Sequence, residues 1–123
     1  MIDKYHKTAA TLIKDAKTLD RKYYLDNDIF HSELDNIFYK NWLCIGRSND
    51  VSKKGNYIKF DIGSESIIII RNNKNILNGF FNVCRHRGTR ICIEERGSFS
   101  NTLQCKYHGW TYNLEGKLVG APN

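Results

Sequence analysis

The sequence predicts a mainly β domain: an antiparallel sandwich or barrel with two ligand loops, preceded by one or two N-terminal helices. Three observations predict it. Apolar residues recur at helical spacing up to about Asn41. From Trp42 onward, short β-branched and aromatic runs alternate with Gly, Asn and Ser turns. Two of those runs are each followed at once by a cysteine and a histidine.

In chain order, Thr8–Leu19 carries Ala9, Leu12, Ile13 and Ala16 on one helical face, which predicts a short amphipathic helix. Asp20–Asp26 reads as a polar connection around Tyr23 and Tyr24. A second helix is expected from Asp28, as N-cap, to about Asn41, with Phe30, Leu34, Ile37 and Phe38 as one buried stripe. Residues 1–41 are therefore expected to form a helical extension and residues 42–123 the β domain. Trp42–Gly46 is a short apolar run. Tyr57–Ile62 places Ile58, Phe60 and Ile62 opposite Lys59 and Asp61, Gly63-Ser64 turns the chain, and Ile67–Arg71 is strongly β-branched. Asn72–Asn75 is a turn before a strand over Ile76–Val83. Thr102–Gln104 and Trp110–Tyr112 read as arms of a hairpin-like unit, and Glu115-Gly116 turns into Leu118-Val119. Short antiparallel strands at this spacing build sandwiches or barrels.

Charge narrows the function classes. The net charge is +6. The first 24 residues hold six Lys or Arg against Asp3, Asp15 and Asp20, and the rest holds thirteen against ten acids. No long basic run interleaved with aromatics exists, so nucleic acid is not an expected partner. Ile67–Ile70 is the longest purely aliphatic run, far below the ~20 residues a bilayer needs. Lys14, Asp15 and Lys17 break Thr8–Leu19 too often for an export signal. A cytoplasmic location is the resulting default, and there four cysteines are better read as metal-binding or free thiols than as disulfides.

The chemistry lies in Cys84-Arg-His86, eighteen residues, then Cys105-Lys-Tyr-His108. A zinc finger puts a Cys pair on one arm and a His pair on the other, whereas here each arm has one of each. That division suits a two-iron cluster in which one iron takes both thiolates and the other both imidazoles. Two thiolates neutralise an oxidised [2Fe–2S] core, whereas four would leave it negative, so mixed ligation raises the reduction potential. The far imidazole nitrogens remain free to hydrogen-bond or to lose protons. A zinc site on the same four ligands remains the competing reading. Gly88 and Gly109 follow the ligand histidines and supply tight turns. Arg87, Gly88, Tyr107, Gly109 and Trp110 are expected beside the cofactor, Trp110 either as a shield or as an ordinary core residue. Arg85, Arg87, Arg90, Arg96 and Lys106 could attract an acidic electron donor.

Cys-Arg-His-Arg-Gly and Cys-Lys-Tyr-His-Gly-Trp together resemble the Rieske signature of ring-hydroxylating, non-haem iron oxygenases of the α-subunit type. Tyr23–Arg47 resembles the helix and first strand preceding that domain, and Trp110–Tyr112 with Gly116–Pro122 resembles the segment after its second loop. The resemblance implies a Rieske [2Fe–2S] cluster on Cys84, His86, Cys105 and His108. Respiratory Rieske proteins add a bridging cysteine to each loop. Thr89 and Tyr107 stand there instead, which implies the lower-potential oxygenase class. Cys44 and Cys92, flanked by Leu43, Ile45, Ile91 and Ile93, are expected to be buried small hydrophobes.

The family's mononuclear Fe(II), held by two histidines and a carboxylate, sits in a larger following domain. His6, expected at an exposed terminus, and His31, expected on a helix surface, cannot supply it. The resemblance thus implies a truncated chain whose closing strands and catalytic domain are absent, and an intact protein that forms a trimer or hetero-hexamer. The expected function is an electron-transfer module that passes electrons from a reductase or ferredoxin to a hydroxylating iron. A stand-alone Rieske ferredoxin is the alternative, disfavoured by the Asp28–Asn41 helix. A zinc-stabilised binding module is a third. Nothing in the sequence identifies the substrate.

Overall fold

In the computed structural model, which describes residues 17–122, the chain divides into two units, Met1–Trp42 and Leu43–Asn123. In the first, most of the helix expected over Thr8–Leu19 lies outside the described residues, and Lys17–Leu19 are not helical. The expected connection Asp20–Asp26 contains a single helical turn, α1 (Lys22–Leu25), whose start is capped by Asp20 accepting from the Lys22 amide at 3.1 Å. The longer helix α2 (Asn27–Glu33) is capped by Asp26 rather than Asp28, because the Asp26 carboxylate accepts from the amides of Asp28 at 2.8 Å and Ile29 at 3.4 Å. It continues as a π-helical turn, Leu34–Phe38. Asn36 reaches back to the Ser32 carbonyl and Asn41 to that of Ile37, each at 2.8 Å. Of the expected stripe only Leu34 is buried, and Phe30, Ile37 and Phe38 are exposed. His31 lies on the helix surface as expected.

The second unit holds two antiparallel sheets. The four-stranded sheet has the order β3-β2-β1-β4, from β1 (Asn56–Ile62), β2 (Glu65–Arg71), β3 (Leu77–Phe81) and β4 (Arg96–Ser98). The three-stranded sheet runs β5 (Thr102–Gln104), β6 (Thr111–Asn113), β7 (Leu118–Gly120). Gly63 and Ser64 form the two-residue β1–β2 loop, and Gly63 takes φ 55° at its first position, as such hairpins require. Trp42–Gly46 forms no strand, and the Trp42 side chain is fully exposed. The short β4 escapes sequence reading because Arg96-Gly97-Ser98 carries no strand-forming side chain. Gly97 serves close approach instead, since a Cβ there would stand 2.7 Å from the Tyr57 ring.

Register decides which face is the core. Tyr57, Lys59 and Asp61 pair with Ile70, Ile68 and Ser66, so these six share one face. Its Tyr57 end packs with Ile68, Ile70, Cys92, Leu103 and Leu114, with Phe80, Ile91 and Phe99 against them. Leu103 belongs to β5, so this core joins the two sheets. The face carrying Ile58, Phe60 and Ile62 is covered as well. Ile58 is buried, and a Cβ at Gly46 would come within 2.9 Å of it. Lys59 is tolerated on the core face because it pairs with Asp61 at 2.7 Å near the rim.

Gly55 marks the tightest backbone crossing. Its amide donates to the Arg71 carbonyl at 2.8 Å and its carbonyl accepts from the Phe99 amide at 3.0 Å. It has φ 79°, and an added Cβ would fall 1.7 Å from the Phe99 carbonyl oxygen. Gly55→Ala should therefore cost more than about 2 kcal/mol, read as a lower midpoint in chemical denaturation. An unchanged midpoint would contradict this packing.

Candidate metal centre

Cys84 and Cys105 each open a loop of the same construction. The Cys84 amide donates to the Thr89 carbonyl and the Gly88 amide to the Cys84 carbonyl, at 2.8 and 2.9 Å. The Cys105 amide donates to the Trp110 carbonyl and the Gly109 amide to the Cys105 carbonyl, at 2.8 and 3.0 Å. Gly88 and Gly109 have φ 73° and 72°. A Cβ at Gly88 would meet nothing, so backbone conformation, not crowding, calls for glycine there. Both sequence motifs thus fold into one turn type, despite the extra residue between Cys105 and His108.

The loops bring the four candidate ligands together. Cys84 and Cys105 are both 2% exposed and cluster with Tyr112, with Ile91 and Trp110 packed against them. The Cys105 thiol lies within hydrogen-bonding reach of Cys84. His86 is half-buried and His108 exposed, with ring centroids 4.7 Å apart. Thiols therefore sit inside and imidazoles outside. Among the described residues no three His, Cys, Asp or Glu side chains converge as they would around a single ion. A two-and-two division of soft thiols and borderline imidazoles suits a pair of iron ions sharing sulfides. All four cysteines are free.

The residues expected beside the cofactor are all in the two loops. Trp110 is half-buried: it packs on the thiol cluster and stacks on His86 at 4.8 Å with a 7° interplanar angle. Tyr107 is exposed and leans on His108, centroids 3.7 Å apart. Partial loss of water around its ring, then the neighbouring His86 and the exposed Arg87, hold His108 below the ordinary histidine value. Of the five cations expected to meet a donor, two are otherwise engaged. Arg90 pairs with Asp61 at 3.3 Å and donates to the Ser64 carbonyl, and Arg96 lies 3.7 Å from Asp50. Arg85, Arg87 and Lys106 stand exposed on the loops.

Cys92 is buried as expected, and burial pushes its thiol up to about 11. Cys44 is exposed, contrary to expectation, because Leu43 and Ile45 take the inward positions on either side of it. Sequence reading also misses Tyr112. Its hydroxyl lies 3.3 Å from Cys84 Sγ and accepts from the Arg85 amide at 3.1 Å, tying β6 to the first loop. The visible signal was only a tyrosine seven residues after Cys105.

Comparison with known proteins places this geometry. The family model described as the Rieske [2Fe-2S] domain matches residues 41–123. The glycine betaine monooxygenase oxygenase subunit of Pseudomonas aeruginosa is 38% identical over 104 residues, covering 85% of this chain and 24% of that protein. The carnitine monooxygenase oxygenase subunit of Escherichia coli is 34% identical over 110 residues, covering 89% and 29%. Among solved structures, a quaternary ammonium Rieske monooxygenase in complex with L-carnitine superposes with TM-score 0.75 at 34% identity, covering 83% of this chain and 29% of that one. Naphthalene 1,2-dioxygenase from Rhodococcus sp. gives TM-score 0.73 at 33% identity, covering 79% and 22%. The chain spans about a quarter of the length of the curated relatives it matches.

Burial raises the Cys84 thiol, but hydrogen bonds from the Tyr112 hydroxyl, the His86 amide, the Cys105 thiol and the Arg87 amide outweigh it and hold Cys84 below its ordinary value. These bonds favour the thiolate, so removing one favours the thiol. In the metal-free chain, Tyr112→Phe should move Cys84 titration to higher pH. Alkylation rate against pH, read peptide by peptide, checks this, and an unmoved Cys84 profile would contradict it.

Proposed function

The chain belongs to the Rieske [2Fe-2S] domain family, and from that premise we propose that Cys84, His86, Cys105 and His108 ligate the cluster. The observation that carries the assignment is the pair of matched loops with thiols turned in and imidazoles turned out. The buried thiolates would hold one iron and the outer imidazoles the other. When bound, the cluster supplies reversible storage of a single electron. The chain's own residues do the rest. Tyr112 donates towards Cys84, Trp110 covers His86, and Gly88 and Gly109 close the turns.

The proposed role is the electron-transfer module of an oxygenase α subunit, receiving electrons from a reductase or ferredoxin and passing them to a mononuclear iron that hydroxylates an organic substrate. The relatives above are named as oxygenase subunits or as mono- and dioxygenases, which favours this over a stand-alone ferredoxin. Arg85, Arg87 and Lys106 offer an acidic donor a cationic approach that salt would weaken. His108 suits the outgoing hydrogen bond better than His86, because His86 lies beneath Trp110 while His108 is exposed. No helix among the described residues is long and apolar enough to cross a membrane.

Anaerobic reconstitution tests the ligand set. The chain should take up about two irons and two sulfides. Cys84→Ser and Cys105→Ser should abolish the mixed-ligand EPR signal, whereas Cys44→Ser and Cys92→Ser should preserve it. Stoichiometric zinc with no iron uptake, or loss of the signal on changing Cys92 alone, would overturn the assignment. The reduction potential should fall in the lower part of the range of about −150 to +300 mV, since Thr89 and Tyr107 replace the bridging cysteines of the high-potential class. Protein-film voltammetry decides this, and a value near the upper limit excludes the oxygenase-type reading.

A further inference from the structure

The two ligand loops are alike at their turns but differ at their bases. The second is closed by a regular ladder, Gln104↔Thr111 and Leu103↔Tyr112. The first has no such ladder: β3 ends at Phe81 and pairs with β2, and residues 90–92 belong to no strand. At the position two residues before Cys84, where the second loop has Leu103, stands Asn82, which is 2% exposed. Its Oδ1 accepts from the amides of Ile91 at 2.9 Å and Cys92 at 2.8 Å. Its Nδ2 donates to the Cys92 carbonyl at 2.7 Å and to Ser66 Oγ at 3.1 Å. Its own amide donates to the Ser66 carbonyl at 2.8 Å.

We infer that Asn82 is the positioning residue of the first ligand loop, its carboxamide standing in for the missing strand rung. A carboxamide presents an acceptor and a donor side by side, as a peptide group does, and here it engages both the N–H and the C=O of Cys92. Ile91 lies seven residues after Cys84, as Tyr112 lies seven after Cys105, so the side chain spans the same gap that Leu103 and Tyr112 span by backbone pairing. The anchor continues into β2 through Ser66. Residues 83–90, which include Cys84 and His86, are thus held at both ends by one side chain. None of these Asn82 hydrogen bonds goes to Cys84 or His86; it acts by fixing where the first loop meets the second.

This inference rests on Cys84 and His86 being ligands, and the tests separate the two. If that assignment is wrong, Cys84→Ser keeps its cluster whatever Asn82 does. For Asn82, hydrogen exchange of the metal-free chain reads the loop base directly. In Asn82→Ala the Ile91 and Cys92 amides should exchange about tenfold faster, the protection given by a buried hydrogen bond, while the Cys105 amide is unchanged. The reconstituted variant should lose iron to a chelator about tenfold faster and show a shifted reduction potential. Asn82→Asp keeps the acceptor and loses the donor, so it should restore protection of the two amides and recover part of the iron retention. It also carries the test if Asn82→Ala does not fold. Val51→Ala, a buried change outside the two apolar clusters that hold Cys84, Cys92 and Cys105, controls for simple destabilisation and should leave potential and iron loss at parent values. Unchanged Ile91 and Cys92 exchange, or iron loss in the Asn82 variants no faster than in Val51→Ala, would overturn the inference.

Discussion

Placing two thiols side by side in the interior requires two loops to bury their cysteine backbones without stranding polar groups. Each loop solves this within itself. The cysteine amide closes onto the carbonyl five residues on, and the glycine amide returns to the cysteine carbonyl. Most of the Leu43–Asn123 unit serves that arrangement. Ile91 packs on both the main core and the thiol cluster, so the sheets and the site share one apolar interior. Leu103 brings β5 into the same core just before Cys105. Each fully buried Ile or Leu there contributes about 1.5–3 kcal/mol.

The inside–outside division of the donors has an electronic consequence. Thiolates in a dry pocket are costly unless hydrogen-bonded. Cys84 receives that support from Tyr112 and from the backbone of its own loop. The Tyr112 hydroxyl is raised in return by burial and by Cys84, so it remains a donor at neutral pH. The imidazoles carry no such burden and face outward, which makes the histidine edge the natural place for electrons to enter and leave on the proposed ligand assignment. Arg85 and Arg87 from one loop and Lys106 from the other are exposed cations, and Arg87 acts on the His108 ring. Arg90 instead pairs with Asp61 and braces the β1–β2 turn.

The candidate ligands were legible because their types and spacing carry the chemistry directly: a thiol and an imidazole on each of two arms have few other uses. Strands rich in branched residues, such as Ile67–Arg71, were legible for a similar reason. The losses have physical causes. The Arg96–Ser98 strand exists because Gly97 lets the Tyr57 ring approach, a tertiary demand with no local signature. Cys44 reads as buried from its neighbours, yet alternation turns it outward. Asp26 outcompetes Asp28 as the cap because its side chain meets two amides of the first turn. Tyr112 and Asn82 look like ordinary strand residues until their partners, Cys84 and Cys92, are brought near by contacts with other parts of the chain.

The unequal motif spacing can be understood from the same loop construction. Both turns place glycine four residues after cysteine, yet histidine occupies the second position in one and the third in the other. Identical positions in two like turns would give both imidazoles like surroundings. Offsetting one by a residue lets His86 lie flat against Trp110 while His108 stays exposed beneath Tyr107. One imidazole is thereby fixed by stacking and the other left accessible, though their rings are only 4.7 Å apart. On the proposed ligand assignment that asymmetry would divide the work: stacking would resist loss of His86, and exposure would keep a His108 ring nitrogen within reach of whatever docks.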